Sequence, residues 1–293
     1  MIPPQFEYAA PKTLQEAVEL LRTNGEGAKV LAGGQSLIPL LKLRLASPSL
    51  LVDMSRIPGL DYIRESEESL TLGAMVRVAS LLESSLLRTK YPVIYEAAKT
   101  IADPLVRNLG TVGGNLSHGD PSNDLPAVML ALGAELAATG PTGDRVVKAE
   151  GFYLDAFTTA LARYEILTEA RVPVPPPRSA GTYLKVEMKV ADFATVGVAV
   201  QVTTSRTSEF TRVGIGLTAV GPTVIKAKKA EEALLGKKIT DAEAVNEAAA
   251  KAGEASNPTT DIRGTAEYKR SLVRLLVSRA LKISSKRAEV GAR

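Results

Sequence analysis

A chain of 293 residues with 45% hydrophobic and 23% charged residues can build two packed cores, and it has no apolar run long enough to span a bilayer. It has no cysteine and a single histidine, His118, which excludes disulfides, thiolate-ligated iron–sulfur clusters and zinc sites of the usual kind. The net charge of +4 arises from basic residues mixed among nearly as many carboxylates, with 4% aromatics, a pattern that argues against a nucleic-acid footprint.

The N-terminal run Met1-Ile2-Pro3-Pro4-Gln5-Phe6 lacks the basic and apolar regions of a secretory signal, so the cytoplasm is the expected compartment. Thr13 and Glu16 have capping-box spacing ahead of Leu14, Ala17, Val18 and Leu21, which recur at helical period, so the first helix starts there and ends at Asn24-Gly25. Ala28-Lys29-Val30-Leu31 reads as a strand that delivers the chain into Ala32-Gly33-Gly34-Gln35-Ser36, with Ser36 as a helix cap. Residues 49–53 and 69–73 predict short strands, and residues 78–87 and 92–101 predict helices, the second opened by Pro92.

A second glycine turn, Gly110-Thr111-Val112-Gly113-Gly114-Asn115, precedes a small-residue helix from Asp124 through Leu132. Residues 134–138 and 145–149 predict a hairpin. Val172-Pro173-Val174-Pro175-Pro176-Pro177-Arg178 forbids helix and cannot donate to a sheet ladder, so the domain boundary is placed there: residues 1–176 and 177–293. Three β-rich runs (182–190, 195–203 and 210–220) and then helices around 227–235, 241–252 and 265–281 predict a small α+β domain with a three-stranded antiparallel sheet. The basic stretch 282–293 reads as a solvated terminus.

The two glycine turns carry the chemistry. Consecutive glycines let backbone N–H groups converge on an anion with no Cβ in the way, and Ser36 and Thr111 can add hydroxyl donors. Two such turns suit a diphosphate better than a single phosphate. Neither matches GxGxxG or ends in Gly-Lys-Ser/Thr, so a dinucleotide Rossmann turn and an NTPase P-loop find no support. His118 lacks a carboxylate partner pattern and reads as a polar loop residue rather than a catalytic base or a point of covalent attachment.

Ala32-Gly33-Gly34-Gln35-Ser36, Thr111-Val112-Gly113-Gly114-Asn115 and Gly216-Leu217-Thr218-Ala219-Val220-Gly221-Pro222, in that order, resemble the flavoprotein medium subunit of the carbon monoxide dehydrogenase and xanthine dehydrogenase family. The resemblance extends from Phe6-Glu7-Tyr8 and Pro11 through Asp261-Ile262-Arg263-Gly264-Thr265-Ala266-Glu267-Tyr268. It implies an α+β fold: a two-lobed FAD-binding domain of the PCMH type followed by the small C-terminal domain. It also implies noncovalent FAD, with pyrophosphate contacts from Lys29, Val30, Leu31, Ala32, Gly33, Gly34, Gln35 and Ser36 and from Thr111, Val112, Gly113, Gly114 and Asn115. Asp124 falls on the family's acidic position, Ile101 and Leu167 on flavin-contacting positions, Lys185 on a basic flavin contact, and Phe193 where an aromatic approaches the isoalloxazine.

Without the family, Asp124 reads equally as a helix cap or a ribose ligand, Ile101, Leu167 and Phe193 as core, and Lys185 as a solvated outward residue. The resemblance further implies a large molybdopterin-binding subunit, a small subunit carrying 2Fe–2S clusters, an external electron acceptor and an (αβγ)2 assembly. No catalytic acid or base is demanded of this chain, which fits its single histidine. Two other readings stay open: a self-sufficient flavoenzyme on the same fold, and a non-redox module that binds a diphosphate ligand.

Overall fold

In a computed structural model that describes residues 2–290, the chain forms three principal sheets threaded by helices. Strands β1 (Glu7–Ala9), β2 (Ala28–Leu31) and β3 (Leu50–Asp53) form a parallel sheet in the order β1-β3-β2. Helix α1 (Leu14–Asn24) links β1 to β2, with Thr13 Oγ1 accepting from the Glu16 amide as the capping box predicts. Helix α2 (Leu37–Lys42) links β2 to β3. Ala17, Val18 and Leu21 bury the inner face of α1 against Leu50 and Val52.

Strands β4 (Ile63–Glu65) and β5 (Ser69–Gly73) begin a second, antiparallel sheet. The helices α3 (Val78–Glu83), α4 (Ser85–Lys90), α5 (Pro92–Thr100), α6 (Pro104–Arg107), α7 (Val112–His118) and α8 (Asp124–Leu132) follow. The predicted helix over 78–87 is broken at Ser84, whose extended backbone and hydroxyl cap the start of α4 instead. Strands β6 (Glu135–Gly140) and β7 (Gly143–Lys148) form the predicted hairpin; β8 (Tyr153–Asp155) and β9 (Thr158–Thr159) pair separately. Strand β10 (Ile166–Pro173) closes the five-stranded sheet in the order β4-β5-β10-β6-β7.

The C-terminal region holds β11 (Ser179–Glu187), β12 (Ala194–Thr204), β13 (Phe210–Thr218) and β14 (Ile225–Lys226), then α9 (Lys228–Leu234), α10 (Ala242–Ala255) and α11 (Ala266–Val290). Its sheet has four strands rather than the expected three: β14, of two residues behind Gly221-Pro222, is too short to leave a periodic signal and pairs only with Gly216 and Leu217. The basic terminus also departs from expectation. Residues 282–290 continue α11 and bury Ser284, Ser285 and Ala288, while residues 291–293 of that stretch lie outside the described residues. No helix among the described residues is long and apolar enough to cross a membrane.

Alternation along the C-terminal strands separates two faces. Val196, Val198, Val200 and Val202 of β12 face α10 and α11, while Ala199 and Tyr183 join the core that contains α5 and α8. All nine residues of α8 are buried, as befits a helix that is apolar on every side. Gly214 and Gly216 are what let it lie there: a Cβ at either would overlap the backbone carbonyl of Ala131 or Ala127 on α8. Two residues along a strand cover about 6.8 Å and four along a helix about 6 Å, so the two glycines match successive turns of α8. Gly216→Val should therefore destabilise the protein by about 1–3 kcal/mol through overpacking against rigid backbone, measured by urea denaturation, while Val213→Ile on the opposite face should cost less.

Candidate functional site: two glycine loops and a buried lysine

The two glycine stretches abut. A Cβ on Gly33 would overlap the carbonyl oxygen of Leu109 and the Cα of Gly110, and one on Gly114 would come within 3.5 Å of the Ala32 Cβ. Glycine is required at 33 by this close approach, and at 34 by a φ of +72° as well. The first loop follows β2 and opens onto α2; Ile38 N–H donates back to the Gly34 carbonyl. Ser36 is not a side-chain cap as expected: its backbone is already helical, with φ −107° and ψ −45°, and its hydroxyl makes no capping bond.

The loops differ in what they leave free. Among the described residues, the amides of Gly33, Gly34, Gln35 and Ser36 donate to no protein acceptor, and all four residues are at least partly accessible. In the second loop the amides are already paired. Val112 donates to Val76 O, Gly113 to Ala74 O at 2.8 Å, Gly114 to Thr111 Oγ1 at 3.1 Å, and Asn115 to Thr111 O. The predicted glycine turn is the first turn of α7, with Thr111 as its N-cap and Gly113 pressed on Ala74. What this loop offers is the side chain of Asn115, whose Oδ1 is buried without a partner, while its main-chain carbonyl accepts from Asn123 Nδ2 at 2.9 Å. The first loop thus supplies donors, and the second supplies shape and one amide side chain. Lys29, Val30 and Leu31 are β2 residues leading into the loop, with Lys29 exposed.

A second cluster lies at the N-terminus of α8. Asp124 does not cap the helix; it is the first helical residue after Asn123, and its carboxylate points into the protein. Tyr183 Oη donates to Oδ1 at 2.5 Å and Lys185 Nζ donates to Oδ2 at 3.1 Å. Lys185 Nζ also donates to the Thr100 carbonyl at 2.9 Å and lies 3.5 Å from Glu187 Oε2. Lys185 is therefore not a solvated outward residue: its side chain is 2% exposed. Burial pushes the Asp124 carboxyl up from 3.8 to about 6, against the opposing pull of Lys185 and Tyr183, and burial beside Asp124 also raises the Tyr183 phenol.

Tyr183 and Glu187 were not singled out from sequence, although their two-residue spacing from Lys185 puts all three on one face of β11. Ile101, next to Thr100, and Leu167, at a register shift in β10, are both buried in the main core. Phe193 is not a core aromatic: it is 52% exposed, in the turn before β12, beside Asp192, which is paired with Arg263 at 3.0 Å. Thus the structure brings the two loops together, and Asp124, Lys185 and the Thr100–Ile101 turn together. The two groups are connected through Asn123 and Asn115. His118 is not in a polar loop; it ends α7 against the Phe157 ring, 5.2 Å between centroids, and burial lowers its pKa.

A family model described as the FAD binding domain in molybdopterin dehydrogenase matches residues 4–175, and one described as the CO dehydrogenase flavoprotein C-terminal domain matches residues 181–283. The chain belongs to the FAD-binding medium subunits of the carbon monoxide dehydrogenase and xanthine dehydrogenase family, and is an oxidoreductase subunit. It is similar to the carbon monoxide dehydrogenase medium chain of Hydrogenophaga pseudoflava, 44% identical over 281 residues that cover 96% of this chain and 97% of the relative. The medium chain from Afipia carboxidovorans is 42% identical over 289 residues, covering 99% of this chain and 100% of that one. In fold it matches a solved Cu,Mo-CO dehydrogenase in its cyanide-inactivated form (TM-score 0.95, 42% identity, 98% and 100% of the two chains). Quinoline 2-oxidoreductase from Pseudomonas putida 86 also matches, with a TM-score of 0.91 and 31% identity over 98% and 99% of the two chains.

The buried carboxyl gives a pH signature. Because the native Asp124 holds its proton to a higher pH than an unfolded aspartate, its contribution to stability falls as pH rises from about 4 to about 6 and is level above that. The difference in urea midpoint between the parent protein and Asp124→Asn should follow that slope across this window and level off above it.

Proposed function

We propose that this chain is the flavin-bearing subunit through which electrons leave a heteromeric molybdenum hydroxylase. FAD fits the residues present. The four free amides of the first loop suit an anionic diphosphate, the orphaned Asn115 Oδ1 needs a donor, and Gly33 leaves no side chain between the loops. Residues 29–36 and Thr111, Val112, Gly113, Gly114 and Asn115 would hold the pyrophosphate region. Asp124, Ile101, Leu167, Lys185 and Phe193 would line the remainder, and the flavin would be held without a covalent bond. Residues 1–176 are assigned as the FAD-binding domain and 177–293 as the domain that completes its far wall.

When bound, FAD exchanges electrons singly or in pairs, which suits a junction between one-electron clusters and a two-electron acceptor. The chain's own residues position it: the first-loop amides fix the diphosphate end, and the buried Asp124–Lys185 pair braces the Thr100–Ile101 turn through the Lys185 ammonium, which donates to the Thr100 carbonyl. With no cysteine in the chain, the 2Fe–2S clusters would be on a small subunit. Molybdopterin and substrate oxidation would be on a large subunit, and electrons would pass to an external acceptor, in an (αβγ)2 complex of cytoplasmic location.

The observation that carries this reading is the row of unpaired, accessible amides from Gly33 to Ser36, in a chain that belongs to this family. Its test is a visible spectrum of the purified protein with FAD added, followed by acid precipitation. A flavin spectrum whose colour is released by acid is expected; a folded protein, with its partner subunits, that takes up no FAD would refute it. Gly33→Val, which forces the two loops apart, should weaken FAD binding at least about 100-fold, the equivalent of about 2.7 kcal/mol, with the far-UV circular dichroism retained.

A further inference from the structure

Helix α5 is fastened to β11 at two points. At the first, Glu96 Oε2 on α5 accepts from Tyr183 N–H at 2.9 Å and from Thr182 Oγ1 at 2.6 Å. At the second, one helical turn later, the Thr100 carbonyl accepts from Lys185 Nζ at 2.9 Å. Four residues along a helix cover about 6 Å and two along a strand about 6.8 Å, so Glu96 and Thr100 keep step with Tyr183 and Lys185. Little slack is left between the two elements: a Cβ on Gly181 would lie 3.2 Å from the Val93 Cβ on α5.

The second point is closed from inside by Asp124, which accepts from the Lys185 ammonium at 3.1 Å. The first is closed from outside by the C-terminal helix. Arg287 Nη2 lies 2.8 Å from Glu96 Oε1, and Arg287 Nη1 donates to the Gly181 carbonyl at 2.9 Å. One guanidinium thus spans the main chain of β11 and the carboxylate of α5, using the fork that only arginine offers. Gly181, Arg287, Glu96 and Tyr183 form a closed ring across β11, α11 and α5. Arg287 is in the last turn of α11, beyond the residues 181–283 that the C-terminal family model matches. With side chains 41% and 25% exposed, Arg287 and Glu96 contribute little to stability as an ion pair; what they fix is position.

We infer that Glu96 and Arg287 are positioning residues of the flavin site, a clasp that sets the register of α5 on β11 and makes the last turn of α11 part of the site's construction. The inference rests on the FAD reading above. Tyr183 carries the constraint inward, since its N–H is held by Glu96 while its Oη donates to Asp124. Thr100 carries it to the end of α5, where Ile101 follows. Asp124, Ile101 and Lys185, three of the residues assigned to FAD, therefore keep places set by an ion pair that none of them makes. A slip of α5 along β11 would also draw the Thr100 carbonyl off the buried Lys185 ammonium, so the clasp and the buried pair resist the same motion.

The experiment titrates FAD into the flavin-depleted complex, followed by the visible spectrum, for the parent, Arg287→Met, Arg287→Lys, Glu96→Gln and the double variant Glu96→Gln/Arg287→Met. Val245→Ala, which opens a cavity in the C-terminal core, is the control for general loss of stability. Arg287→Met and Glu96→Gln should each weaken FAD at least fivefold and move the flavin midpoint potential, and the double variant should be no weaker than the worse of the two. Arg287→Lys, which keeps the charge but not the fork, should lie between the parent and Arg287→Met. Val245→Ala should bind FAD as the parent does, despite a lower urea midpoint. Parent-like binding and potential in Arg287→Met would overturn the inference and leave the FAD reading intact, as would an equal loss in Val245→Ala. If Arg287→Met does not assemble, Arg287→Lys decides, and parent-like affinity there would overturn the inference. A parent complex that binds no FAD would overturn both readings.

Discussion

Helix α8 is enclosed along its whole length, and the rest of the molecule is arranged around that fact. It packs on β12 and β13 of the C-terminal sheet, on α5 and α7, and on β10 of the five-stranded sheet. One core cluster therefore runs from Leu70 and Leu72 through α8 to Tyr183 and Ala199, so the Pro-rich linker does not divide the protein into independent cores. Sequence composition changes at the linker, but the apolar contacts do not stop there.

That arrangement sets the site. A buried helix has to start somewhere, and the N-terminus of α8 carries a carboxylate into the protein, where Lys185 and Tyr183 from β11 meet it. A charge so placed is stable only when paired and hydrogen-bonded, and the Thr100 carbonyl completes the ammonium's shell. Asn123, one residue earlier, reaches α7 at Asn115 and so ties the cluster to the second glycine loop. Thr218, across from Gly197 on the same sheet, closes this end by donating to the carbonyls of Pro121 and Asn123.

The glycine loops show how similar strings take different work. Ala32-Gly33-Gly34-Gln35-Ser36 leaves its amides unpaired at the end of a parallel strand, the usual place for an anion in such a sheet. Thr111-Val112-Gly113-Gly114-Asn115 uses its amides within the protein: Gly113 because Ala74 crowds it, Gly114 because Thr111 caps the helix. A pair of glycines marks close approach in both; which partner approaches differs.

Much of the local structure was legible in the chain. The capping box at Thr13, the hairpin around Pro141-Thr142 and the bounds of α8 follow from short-range chemistry that a sequence carries whole. Motif order marked the family, and with it FAD. What sequence could not decide was anything fixed by neighbours distant along the chain: that 78–87 breaks at Ser84, that a fourth strand of two residues completes the C-terminal sheet, that residues 282–290 are packed helix, and that Lys185, apparently a solvated strand residue, is sealed against Asp124. Local propensity depends on a few adjacent residues, whereas burial and ion pairing depend on which surfaces meet. Only the docking of α8 onto the glycine-lined face of the C-terminal sheet settled those.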